Sequence, residues 1–373
     1  MRGGKYSLTG RPRHGFDGMK LLITGICGFV GNRLAHALLE RIPDLEVTGV
    51  DNLMRAGSEI NRTELSGRGV RFVHCDLRMR SDVEALPACD WVIDAAANPS
   101  VLAGIDGRSS PRQLTEHNLI GTLNLLEYCR EHKPGLILLS SSRVYSVADL
   151  AALPMNEAAR AFRLDSTKAR TAGVSRQGLT EEFPTRQPVS LYGATKLASE
   201  VMAREYGQTF QFPVWVNRCG VLAGAGQFGT AEQGIFSYWL HAHANRLPLR
   251  YIGFGGLGYQ VRDAMHPDDL ADLAALQMAK GPSGEVTYNL GGGRENAMSL
   301  AQLTAWCDER FGKHEPAADH RERPFDIPWI VMDSRRAGRD FGWQPKRSLG
   351  SILEEIAAHA QDNPDWLKRI GAV

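Results

Sequence analysis

The chain has 373 residues, 43% of them hydrophobic and 23% charged, and a formal net charge of +1. That length exceeds what one hydrophobic core ordinarily serves and points to two lobes, while the near-zero charge argues against a nucleic-acid or membrane-surface partner. No apolar run approaches the ~18 residues that cross a bilayer, and six scattered cysteines without CxxC or zinc-type spacing fit free thiols in a reducing cytoplasm and no metal site.

Residues 1–18 are rich in Gly and Arg and hold no apolar core, so they read as a flexible N-terminal extension rather than a secretory signal. Regular structure is expected from Lys20–Thr24, a short apolar strand that ends in a Gly-rich turn and leads into a helix at 33–41. Further strands are predicted at 46–50, 70–74, 91–95 and 136–139, with a helix at 115–132 between the last two. Strands alternating with helices imply βαβ units, hence a Rossmann-like doubly wound parallel sheet of the α/β class. The connection 146–190 is polar and weakly periodic; one so long inside an enzyme is usually functional. A helix at 192–206, a strand at 214–217, a helix near 235–244 and the run 262–279, where Pro267 and Asp268 suit a helix start, complete the pattern. The expected division is a nucleotide-binding domain at 19–222, with a returning segment near 259–280, and a smaller C-terminal substrate lobe at 223–373.

The turn Gly25-Ile26-Cys27-Gly28-Phe29-Val30-Gly31 follows the first strand and opens a helix. Its glycines allow a tight turn and close approach of backbone N–H groups, including those of Phe29 and Val30, to a pyrophosphate. Asp51 ends the next strand, 20 residues after Gly31, where a carboxylate can bind the adenosine ribose and repel a 2′-phosphate. The expected cofactor is therefore NAD rather than NADP. Asn52 beside it, Asp76 and Leu77 after the third strand, and Ala95, Ala96 and Ala97 after the fourth are further candidate cofactor contacts, since small residues there let a cofactor lie against the backbone.

Tyr192 and Lys196 stand at i and i+4 on one helix face. A phenol near pKa 10 is a poor base at neutral pH, and a nearby ammonium is expected to lower it; the same lysine can hold the cofactor ribose. Ser140, Ser141 and Ser142 follow an apolar strand, where one hydroxyl can bond the reacting oxygen.

Together these motifs resemble the extended short-chain dehydrogenases, from about residue 20 to 346. The resemblance implies that Ser141, four residues before Tyr145, takes the hydroxyl role, that Ser140 lies on the cofactor, and that two copies pair through helices 115–132 and 192–206. Within the family, Gln227-Phe228, Gln260-Val261-Arg262-Asp263 and Asn289-Leu290-Gly291-Gly292 are similar to stretches of the CDP-tyvelose (CDP-paratose) 2-epimerase group. That likeness implies a nucleotide-sugar substrate held by Asn98, Gln227, Arg262 and Arg323, with Arg262 on the diphosphate, and epimerisation through a keto-sugar with NAD retained. Asn98 stands where that group has Gln, and Ile327-Pro328 where it has Gln-Arg. The competing activities are 4-epimerisation, net sugar oxidation or reduction, and a non-catalytic dinucleotide sensor. Dehydration needs an extra acid and base, whereas Ser141 is followed by Ser142 and Arg143.

Overall fold

The computed structural model describes residues 18–281 and 286–373. The expected N-terminal extension lies outside the described residues except for Gly18. Seven parallel strands form the central sheet: β1 (Lys20–Thr24), β2 (Glu46–Asp51), β3 (Arg71–His74), β4 (Trp91–Asp94), β5 (Gly135–Ser141), β6 (Val214–Cys219) and β7 (Thr287–Leu290), in the spatial order β3-β2-β1-β4-β5-β6-β7. The helices that matter to the site are α1 (Phe29–Arg41), α2 (Gly121–His132), α3 (Ser190–Phe210), α4 (Ile235–Ala244), α5 (Pro267–Lys280), α6 (Leu300–Phe311) and α7 (Leu349–Asp362).

The inner strands are mostly apolar and buried because both sheet faces are covered, whereas the edge strand β3 is only half-buried. On one face α1 and α5 pack Leu34, Leu38, Leu270 and Leu273 over Leu21, Ile23 and Ile93. On the other, α2 and α3 set Leu125, Leu126, Cys129 and Ala203 against Leu22, Val92, Leu136 and Val216. Helices α4, α6 and α7 enclose a separate core of Phe236, Trp239, Leu240, Leu303, Ile352 and Ile356. This second lobe is joined to the sheet side by ion pairs: Glu355 on α7 lies 3.1 Å from His266 Nε2, at the start of α5, and 3.5 Å from Arg33 on α1.

Several elements differ from the sequence-based expectation. The helix expected at 115–132 begins at Pro111, because Ser110 and Gln113 form a reciprocal cap, and it carries a π turn at Glu116–Ile120. The segment 146–190, read as irregular, contains a short helix and the hairpin Met155–Ala158/Ala161–Leu164. Its tip residues Ala159 and Arg160 both have positive φ, without the Asn-Gly signature that usually announces such a turn. The sheet also takes its last strand, β7, from beyond residue 280, where the returning segment was expected to end.

Candidate active site

The carboxyl ends of β1 to β6 open onto one cleft of about 860 Å³ whose far wall is the second lobe. Every residue singled out from the sequence as a site candidate lines it: Gly25, Gly28, Phe29, Val30, Gly31, Asp51, Asn52, Asp76, Leu77, Ala95, Ala96, Ala97, Asn98, Ser140, Ser141, Tyr192, Lys196, Gln227, Arg262 and Arg323. Ligands of doubly wound sheets lie at this edge.

The dinucleotide end follows from backbone packing. Gly25 has φ +61°, and a Cβ on Gly31 would sit 2.4 Å from the Gly25 carbonyl oxygen, so the turn closes only with glycine. Gly28 caps α1 with no side-chain hydrogen bond, which leaves first-turn N–H groups available to a pyrophosphate. Asp51 accepts the Cys27 and Leu53 N–H groups at 3.0 and 2.8 Å, and burial raises its carboxyl above the usual range. Asp76 is gripped by Arg78 and contacted by Asn52 at 3.4 Å; the Arg78 hydrogen bonds hold it at about 2. Thr24 Oγ accepts the Ala95 and Ala96 N–H groups at 3.1 Å and donates to Asp94 at 2.6 Å, fixing the backbone that faces the glycine turn. These features, a Cβ-free cradle at a helix N-terminus and a desolvated carboxylate beyond it, fit NAD.

The candidate catalytic side chains meet because the start of α3 docks against the turn after β5. A Cβ on Gly193 would lie 2.3 Å from the Arg143 carbonyl oxygen, so glycine permits the approach. Ser141 accepts the Arg143 N–H at 3.1 Å and faces the buried Tyr192 phenol across the cleft wall. Burial pushes the Tyr192 phenol up, opposed by the Ser141 hydroxyl and the Arg143 charge. The lowering expected from Lys196 is not what the structure shows: burial lowers the ammonium itself, and the charges that act back on it are those of Asp94 and Glu200. Ser140 lies in the cleft wall, but its hydroxyl donates to Glu200. Glu200, two helical turns beyond Tyr192, also receives Arg218 through contacts of 2.7, 3.0 and 3.1 Å.

On the lobe side, Gln227 Nε2 donates to the Leu222 carbonyl at 2.6 Å while its buried Oε1 has no hydrogen-bond partner among the described residues. Arg262 donates to the Val261 and Ile327 carbonyls at 2.8 and 3.0 Å and lies 3.7 Å from Asp326. Arg323, more exposed, reaches the Ala231 carbonyl at 3.5 Å. Asn98 is held through its backbone: Asn118 accepts its N–H at 2.8 Å and donates to its carbonyl at 3.0 Å.

Sequence reading missed three contributors. Asn118 sits in the π turn and bonds Thr195 at 3.3 Å, linking Asn98 to α3. The Glu200–Arg218 pair is buried under the serines, and its only sequence trace is the i+4 step from Lys196. Arg143, read only as a missing carboxylate, projects into the cleft.

Comparison with known proteins agrees with this geometry. Residues 21–291 match the model of the NAD dependent epimerase/dehydratase family. The CDP-paratose 2-epimerase of Salmonella typhi is 31% identical over 91% of this chain and 98% of that protein. The dTDP-glucose 4,6-dehydratase of Streptomyces antibioticus is 28% identical over 93% and 94%, respectively. Among solved structures, the UDP-glucose 4-epimerase of Thermus thermophilus in complex with NAD superimposes with a TM-score of 0.72 at 27% identity, covering 92% of this chain and 99% of that one. The chain is therefore a member of the NAD-dependent epimerase/dehydratase family, an enzyme of the extended short-chain dehydrogenase type with NAD as its cofactor.

Proposed function

We propose that the protein epimerises a nucleotide-activated sugar at C2, a CDP-sugar being the first candidate, through a keto-sugar and with NAD retained. The observation that carries this reading is the turn after β5: Ser141 and Tyr192 line the same stretch of the cleft, and Ser142 and Arg143 offer a hydroxyl and a cation where expulsion of water needs an acid and a base. The likeness to the Salmonella typhi 2-epimerase supports the position and the base.

The glycine turn and Asp51 would hold NAD, which when bound supplies the two-electron acceptor regenerated within each turnover. Tyr192 takes the hydroxyl proton of the sugar and later returns it. Ser141 steadies the charge that develops on that oxygen, and Lys196 would hold the cofactor ribose. Arg262, Arg323 and Gln227 orient the nucleotide end, and Asn98 flanks the sugar.

On this reading, residues 19–222 with a returning segment to β7 hold NAD, and the rest of the C-terminal part holds substrate. The apolar Ile120, Leu191 and Val201, exposed on and beside the packed pair α2 and α3, support a homodimer through those helices. The free cysteines support a cytoplasmic setting, and among the described residues no helix is long and apolar enough to cross a membrane. The test is to incubate the protein as purified, without added cofactor, with CDP-sugars and follow the C2 proton by NMR. Epimer formation with no net NADH is expected; stoichiometric consumption of added NAD or NADH would overturn the reading.

A further inference from the structure

Arg143 leaves the main chain two residues after Ser141, and its N–H donates to the Ser141 hydroxyl at 3.1 Å. Its side chain runs to the opposite wall of the cleft, where NH1 donates to the Phe325 carbonyl at 3.2 Å. The segment it meets carries Arg323 and Asp326, and Asp326 in turn lies 3.7 Å from Arg262. Three guanidinium groups, from the β5 turn, from strand Val261–Met265 and from the 323–326 segment, thus gather on the wall that carries Asp326, whose Oδ2 is buried without a hydrogen-bond partner among the described residues. Arg143, Arg262 and Arg323 face Asp326, with Asp263 behind Arg262, so positive charge is in excess along this wall. Burial foremost, with the neighbouring Arg262 adding to it, lowers the Arg143 guanidinium to about 9. A diphosphate carries the charge that balances it, and the planar forks offer the donors it needs. Of the three arginines, Arg143 alone has a charge that acts on Tyr192.

We propose that Arg143 binds the sugar-side phosphate of the nucleotide sugar and so ties the anion subsite to the Ser141–Tyr192 pair. This rests on the nucleotide-sugar reading. It makes Arg143 a specificity-determining residue: through one side chain and its own N–H, occupancy of the phosphate site fixes the serine that the reaction uses. The nucleoside-side phosphate falls to Arg262 and Arg323, farther from the reacting hydroxyls.

The experiment uses the holoenzyme and calorimetric titration with CDP and CMP, or with the tightest of CDP, UDP and dTDP and its own monophosphate. A monophosphate lacks the phosphate assigned to Arg143. Arg143→Met is expected to weaken the diphosphate by roughly 10- to 100-fold, the scale of a charge-assisted contact, and to leave the monophosphate within about twofold. Arg143→Lys keeps the charge but loses the fork, so it should give a smaller loss, again on the diphosphate alone; it carries the test should Arg143→Met fail to fold. An unchanged diphosphate affinity, or equal losses on both nucleotides, would overturn the assignment of Arg143 while leaving the substrate class intact. Failure of the wild-type protein to bind any of the three diphosphates would instead overturn the nucleotide-sugar reading, and Arg143's role with it.

Discussion

Replacing Arg218 with methionine asks whether the pair beneath the serines is structural ballast or an obligatory partnership. The Arg218 side chain is 8% exposed and that of Glu200 1%, so neither charge is relieved by water. Methionine keeps the apolar stem but removes three contacts of 2.7–3.1 Å, leaving the Glu200 carboxylate buried with only the Ser140 hydroxyl of its described partners. Breaking a buried pair from one side costs about 3–5 kcal/mol, because the surviving charge stays desolvated. At about 2 °C per kcal/mol for a chain this large, the melting temperature should fall by roughly 6–10 °C. The double variant Arg218→Met/Glu200→Leu removes both charges and should recover most of that loss. Scanning calorimetry of the wild type, both single variants and the double variant closes the cycle. A loss below about 1 kcal/mol for Arg218→Met, or a double variant no more stable than the single one, would refute the reasoning.

Tyr192→Phe should retain fold and NAD content, read from the melting curve and the absorbance of released nucleotide, while turnover drops on the order of 100-fold or more, as for a lost general base; near-normal turnover would remove Tyr192 from the mechanism. Glu355 is opposed by burial, yet its contacts with His266 and Arg33 hold it at about 2, below the ordinary 4.5. A depressed carboxylate contributes stability that is present above about pH 4.5 and lost as pH falls toward 2. The stability difference between wild type and Glu355→Gln, on the order of 2–3 kcal/mol near neutrality, should therefore shrink steadily in urea titrations from pH 5 to pH 3. A gap independent of pH over that range would show that the inter-lobe contact does not depend on this charge.

How far the sequence could be read depended on how local each cause was. The apolar strands, the glycine turn, Asp51 and the Tyr192–Lys196 spacing are written in short windows, and all of those residues meet in one cleft. The Ser110/Gln113 cap was equally local and could have placed the start of its helix. The hairpin tip at Ala159–Arg160 had no such mark, because its left-handed backbone is imposed by tertiary contacts rather than by residue type. Arg143, Asn118 and Glu200 act through partners 18 to 182 positions away in the chain, a distance no periodicity reports. The expected effect of Lys196 on Tyr192 failed for a related reason: helical spacing sets proximity, whereas burial of both groups dominates their ionisation.

The connection between Tyr145 and Tyr192 has a consequence for anyone recombining such enzymes. Its hairpin tip accepts hydrogen bonds from Ser299 and Gln302 at 2.7 and 2.9 Å, at the cap of α6, and Leu179 and Phe162 bond Val331 and Tyr259 across the backbone. The segment is thus stitched into the C-terminal lobe although it lies between Ser141 and Tyr192 in the chain. A chimera cut once, near residue 222, would pair a foreign lobe with the wrong stitching. Grafting a new specificity onto this frame calls for two crossovers, so that residues 146–190 travel with the lobe they are sewn to.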